Sequence, residues 1–259
     1  MTDAAARHLK PALLWLGGVA LLAFACWRVA PTAEAFAMGV GKLGFLVGFM
    51  VPPSAGGALW PMLHALAETL AMAFLGTLIA AVAALPLGFL GARNVAPAAL
   101  LHFGLRRGFD GLRGVDSLIW ALIFVSAVGM GPFAGILAIA VPDTGVFAKL
   151  FAEAIENADR RPVEAVRATG GGRLAEARYG LLPQVLPVIL SHILYFFESN
   201  VRSASILGVV GAGGIGLALS DRIRLNNWDE VAFLILLILG TVIVIDTVSA
   251  RIRRGIIAA

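Results

Sequence analysis

Apolar residues in this chain fall in long blocks and not in alternation. A run of about 20 mostly aliphatic residues fits a helix crossing the hydrocarbon core of a bilayer. Only helices or closed barrels satisfy their backbone there. The blocks predict six crossings, at about residues 12–29, 66–90, 118–128, 133–154, 181–210 and 231–248. A glycine-rich run at 36–51, stopped by Pro52 and Pro53, predicts a helix lying in the interface. The expected fold class is an all-α integral membrane protein. Residues 1–60 form an N-terminal membrane helix with its interfacial segment, and residues 61–259 form the core domain.

One polar segment, residues 157–183, interrupts the pattern. Arg160, Arg161, Arg167, Arg173 and Arg178 are interleaved there with Asp159, Glu164 and Glu176. Pro162 suits a first helical turn, where its missing N–H costs nothing. Val163, Ala165, Val166 and Ala168 continue the turn, and Gly170 to Gly172 end it through the left-handed conformation open to glycine. The segment predicts a stubby helix at the membrane surface with Glu164 and Arg167 exposed. From the residues alone two readings stand level: a solvated connector, or a surface offered to a partner.

Composition agrees with the membrane reading. The chain is 59% hydrophobic and 14% charged, well below the roughly 25% charged residues of soluble domains. With the N-terminus inside, fourteen of the 20 lysines and arginines fall on the inner side. The positive-inside rule then makes that face, the polar loop and both termini cytoplasmic. The net charge of +4 comes from helix ends on one side and does not point to nucleic acid. Arg7, His8 and Lys10 before the first block resemble a signal-peptide n-region, but that block is read as an uncleaved anchor. A single cysteine, Cys26, permits no internal disulfide and no cysteine metal cluster. No G-x-x-x-x-G-K-[ST] loop is present, so ATP is not hydrolysed here by that route.

Charges inside the spans are costly and usually face an interior or a partner. Glu198 and Arg202 stand at i and i+4 with the acid first, a favourable order. They read either as a neutralised structural pair or as a site where Arg202 meets an oxyanion in transit, since guanidinium suits phosphoryl oxygens. Asn200, Ser203 and Ser205 are nearby polar candidates for the same pathway. Trp120 and Ser117 open the third span, with Trp120 read as an interfacial anchor or a pathway residue. Gly211, Gly213, Gly214 and Gly216 match a dinucleotide fingerprint, but without its strand–turn–helix setting. They are read as gate or turn glycines that let helices approach closely. Glu68 and Thr69 are read as a cap near the start of the second span. None of His8, His64, His102 and His192 has a nucleophile partner, so no catalytic residue is assigned. Asp246 and Lys149 receive no role.

The polar segment resembles the EAA loop of ABC importer permeases: Glu164-Ala165-Val166, then Gly170, then Leu182-Pro183 at the matching distance. It departs from that pattern at Val166, usually alanine, and at Gly180, usually isoleucine. A wider resemblance, to the phosphonate importer permease, runs from about Glu68 to the end. It is carried by WALIFVSAVGMGPFAGILAIA, KLFAEAIE, RYGLLPQVLP and FESNVRSASILGVVGAGGIG. Asp116-Ser117 replaces the Pro-Glu pair usual in that family. The resemblance implies a type I ABC importer permease fold in a bacterial inner membrane. It also implies that Pro162, Glu164, Ala165, Val166, Arg167 and Gly170 form a coupling helix gripped by an ATPase subunit. One docking loop per chain then implies a homodimer on an ATPase dimer. A periplasmic binding protein would deliver a small phosphorus oxyanion (phosphonate, phosphite or phosphate ester), and alternating access would move it. ATP and magnesium would sit on the ATPase, with no cofactor in this chain. Two other classes compete. An ion-coupled carrier predicts inverted repeats, which are not evident, and an intramembrane enzyme needs a reactive pair.

Overall fold

The computed structural model describes residues 2–29, 32–95 and 99–258, and every regular element among them is helical. The chain forms two compact units, residues 1–51 and 52–259. The first holds α1 (Thr2–Val29) and α2 (Ala33–Phe49). Thr32 starts α2, its hydroxyl accepting from the Ala35 N–H at 3.3 Å, an N-cap that satisfies one free donor.

The second unit holds α3 (Leu59–Gly91), α4 (Ala99–Arg113), α5 (Ser117–Val128), α6 (Pro132–Glu156) and α7 (Arg160–Ala168). There follow α8 (Arg173–Ala175), a π-helical turn (Glu176–Leu181), α9 (Leu182–Leu207), a 3₁₀ turn (Gly208–Val210), α10 (Gly214–Arg224) and α11 (Trp228–Ala258). At its centre α3 lies against α6. Small residues at helical spacing on α3, among them Gly76, Ala80, Ala84 and Gly88, are buried. A Cβ added at Gly76 would stand 2.8 Å from the Ile139 Cβ, and one at Gly88 2.8 Å from the Phe151 Cβ. Lipid tails are as apolar as side chains, so helices in a bilayer hold together through such close packing.

Among the described residues four helices are long and apolar enough to cross a membrane: Leu59–Gly91, Pro132–Glu156, Arg173–Val210 and Trp228–Ile256. Of the six crossings expected from the sequence, these four match blocks 66–90, 133–154, 181–210 and 231–248. The expected span 118–128 is only α5, a helix of 12 residues, or about 18 Å against a core of about 30 Å. Asp116 starts α5 by accepting from the Leu118 N–H at 2.8 Å, and Gly129, at φ +92°, stops it. With the His102–Arg113 stretch of α4 it makes a pair bent by 82°, the geometry of a broken span or a re-entrant loop. The expected first span lies in α1, and its residues before Trp15 fall outside the described side chains.

Between the expected spans 66–90 and 118–128, where the sequence pattern assigns no element, the structure places α4. Leu105 and Phe109 pack into the core beside α6, while Arg107 is exposed, the two-faced pattern of an amphipathic helix. Ion pairs fix it in place. Arg106 Nη2 donates to both oxygens of Glu156 at 2.9 Å, and Lys149 meets Asp110 at 2.9 Å, which gives Lys149 its role.

Candidate coupling surface and translocation site

Asp159 opens α7, its Oδ1 accepting from the Arg161 N–H at 3.0 Å. Pro162 falls in the first turn, where N–H groups have no partner inside the helix. Thr169 closes the helix, and Gly170 follows at φ +83°. Val163 and Val166 face inward, and Glu164, Ala165 and Arg167 are exposed.

The start of α7 is tied to the base of α9 and its finish to the π-helical turn that leads into α9. At its start, Gln184 Oε1 accepts from the Asp159 N–H at 2.9 Å, and Gln184 Nε2 donates to the Gly180 carbonyl at 2.6 Å. At its finish, Arg167 Nε and Nη2 donate to the two oxygens of Glu176 at 2.9 and 3.0 Å. The hydrogen bond to Glu176 raises the Arg167 pKa further above its ordinary value, so the guanidinium stays charged at any working pH. Gly180 explains its own departure from the family pattern: a Cβ there would lie 2.8 Å from the Val163 Cα. The π-helical turn can thus sit directly against α7. Beside α7 opens a cleft of about 760 Å³, lined by Asp159, Arg160, Glu164, Arg167, Arg173 and Glu176, among others.

A second polar group joins α3, α6 and α9. Asn200 is buried, and its Nδ2 donates to Thr77 Oγ1 at 2.9 Å and to Asp143 Oδ2 at 2.6 Å. This clasp sets the rotation of α9. At 3.6 residues per turn, positions 198 and 202 each point about 160° away from position 200. Glu198 and Arg202 therefore face α11 and the outside. Asp143 and Thr77 escaped the sequence reading, although an acid within an apolar block is itself a signal. Asp143→Ala would leave the Asn200 amide short of its strongest acceptor. The expected cost is about 1–2 kcal/mol, measurable as a lowered unfolding midpoint in detergent.

The expected pairing of Glu198 with Arg202 is corrected in part. They lie 3.9 Å apart, but each has a nearer partner on α11. Glu198 Oε2 accepts from Arg253 Nη2 at 2.9 Å. Arg202 Nη1 donates to the two oxygens of Asp246 at 3.2 and 3.4 Å. Ser203 and Ser205 are half-buried on the same helix, with the Ser205 hydroxyl turned back to the Val201 carbonyl at 3.2 Å. Trp120 is half-buried among core residues and stacked on Phe124 at 5.7 Å. Ser117 is the first residue of α5. Among the described residues no hydrogen bond joins Ser117 or Trp120 to the Arg202 group.

The glycine segment links α6, α9 and α10. Gly211, Gly213 and Gly214 have φ of +99°, +84° and +68°. The Gly131 N–H donates to the Gly211 carbonyl at 3.0 Å. A Cβ on Gly216 would run into the Ser205 carbonyl oxygen. Glu68 and Thr69 do act as a cap, but of α10 across the bundle and not of their own helix. Gly214 N–H donates to Glu68 Oε2 at 3.2 Å, and Ile215 N–H to Thr69 Oγ1 at 2.8 Å.

Residues 84–257, which take in α7, the Arg202 group and the glycine segment, match the family described as binding-protein-dependent transport system inner membrane component. The chain belongs to this family. The permease is 40% identical, over 92% of its length and 86% of the relative's, to the phosphite transport system permease protein PtxC of Stutzerimonas stutzeri. It is 37% identical, over 93% of its length and 45% of the relative's, to the phosphate-import permease protein PhnE of Mycolicibacterium smegmatis. Among solved structures, the inward-facing MetNI methionine ABC transporter aligns with a TM-score of 0.68. That likeness has 23% identity over 78% of the permease and 99% of the solved chain, and it shows the shared type I importer fold. The permease is thus a multi-pass translocation subunit of an ABC importer.

Proposed function

We propose that the permease carries a small phosphorus oxyanion of the phosphite or phosphonate class, driven by ATP hydrolysed on a separate ATPase subunit. The observation that carries this reading is α7, a nine-residue helix fixed at one end to α9 and at the other to the π-helical turn leading into it, while its Glu164–Ala165 face points outward. A helix so held passes force in both directions between a gripping partner and the bundle. The half-exposed Arg202–Asp246 pair lies within two membrane-spanning helices. Charges there do not face hydrocarbon; they need protein or water. That supports a second copy of the permease on this face with an aqueous path between the two, one ATPase under each. The substrate class is supported by the similarity to phosphite and phosphate-import permeases. A periplasmic binding protein would bring the anion, ATP and magnesium would stay on the ATPase, and the termini and α7 would lie in the cytoplasm of a bacterial inner-membrane system.

The test is uptake of phosphite and methylphosphonate into proteoliposomes holding permease, ATPase and binding protein. Uptake should require magnesium-ATP in the compartment facing α7. Transport of neither anion would overturn the substrate assignment, and uptake without the ATPase would overturn the mechanism. Glu164 makes no hydrogen bond or close ion pair among the described residues, so Glu164→Ala should shift stability by less than about 0.5 kcal/mol while lowering ATP-driven uptake several-fold.

A further inference from the structure

Four charges form one ladder between α9 and α11: Arg253, Glu198, Arg202 and Asp246, two of each sign. Its rungs are unequal. Glu198 is 13% exposed and closed on Arg253 at 2.9 Å. Arg202 and Asp246 are 44% and 42% exposed, and their 3.2 and 3.4 Å contacts exceed the roughly 2.7–2.9 Å of a tight charge-assisted bond. Asp246 makes no other side-chain hydrogen bond among the described residues. The open rung is the one an incoming group can reach, and its acid has only one partner to lose.

We propose that Asp246 is a specificity and release residue: a built-in carboxylate that occupies Arg202 until a transported oxyanion displaces it, and that reclaims Arg202 to expel the anion. This rests on the reading that Arg202 faces the transported oxyanion. The ladder carries no net charge, so it does not trap anions. A phosphorus oxyanion offers Arg202 the same paired oxygens as a carboxylate, with comparable bidentate geometry. Exchange of one for the other keeps the guanidinium paired at every stage. Glu198 cannot compete in this way because Arg253 already holds it.

The experiment is equilibrium binding of phosphite and methylphosphonate to the purified permease–ATPase complex in detergent, alongside ATP-driven uptake. Asp246→Asn removes the competing charge and leaves the ladder net positive. Its anion dissociation constant should fall roughly tenfold, with slower uptake because release is delayed. Asp246→Ser serves should the asparagine variant not assemble. Unchanged or weaker binding in the assembled variant overturns the proposal; a merely structural pair would lower the unfolding temperature and leave binding alone. Arg202→Ala separates the two levels. If it binds and transports like wild type, Arg202 lies outside the path, and both the pathway reading and this proposal fall. If it loses binding while Asp246→Asn binds like wild type, only the role of Asp246 falls.

Discussion

Gly216→Val is expected to leave almost no assembled permease in the membrane. Gly216 on α10 meets the end of α9 with backbone on both sides: its Cβ would overlap the Ser205 carbonyl oxygen and lie 2.9 Å from the Gly208 Cα. Gly208 is equally confined, with its own Cβ position 2.7 Å from the Gly216 Cα. Neither obstacle is the end of a flexible side chain, so no rotamer change relieves it. The expected cost is about 3 kcal/mol, enough to open the crossing and with it the cap that Glu68 and Thr69 place on α10. Membrane abundance and the unfolding midpoint of the detergent-purified protein would show it. Gly255→Ala is the control. Nothing lies within 4 Å of that position, and alanine favours the helix by about 0.5–1 kcal/mol. A wild-type yield for the valine variant would mean that α9 and α10 do not cross backbone to backbone.

The second large effect runs against the family pattern. Gly180→Ile restores the residue usual in the EAA loop, yet here it should abolish most ATP-driven uptake. The Cβ would stand 2.8 Å from the Val163 Cα and 3.2 Å from the Val163 backbone nitrogen. The isoleucine must push α7 off the π-helical turn, at about 1–3 kcal/mol of overpacking. The clash lies at the foot of the Arg173–Val210 helix, away from its contacts with α3 and α6, so protein levels should stay near wild type while uptake per ATP hydrolysed collapses. Arg167→Ala, which frees only the far end of α7, should give a milder form of the same defect. An isoleucine variant with normal uptake would show that the seat of α7 does not depend on this contact.

Local signals were readable from the chain, and cross-helix ones were not. Block length alone located α3, α6, α9 and α11, since each is long, apolar and weakly interrupted. The charge density around Glu164 located α7, and Gly170 its end. Two local signals were outweighed. Asp116 and Gly129 are sound stop signs for α5, but the oily run between them looked like a crossing. The arginines of α4 masked its helix, although Leu105 and Phe109 repeat at helical spacing. Partners were the harder problem. The i, i+4 spacing of Glu198 and Arg202 implied a pair, yet the register of α9 on α11 hands each a closer partner in Arg253 or Asp246. In the same way Glu68 and Thr69 cap a helix 146 residues further along the chain. Only Asp143 was within reach and passed over: its apolar surroundings mark it at once.

From Arg173 to Val210 the chain runs as one helix of 38 residues, about 57 Å from end to end. Its foot is pinned to α7 and its head is wedged at the Gly208–Gly216 crossing. Such a rod behaves as a crowbar: tipping its foot by about 5° sweeps its head through about 5 Å. That is ample to shift the Met130–Pro132 corner resting on Gly211 and Gly213. A nudge too small to disturb any single contact at the base would still reach the far mouth as a full side-chain's displacement.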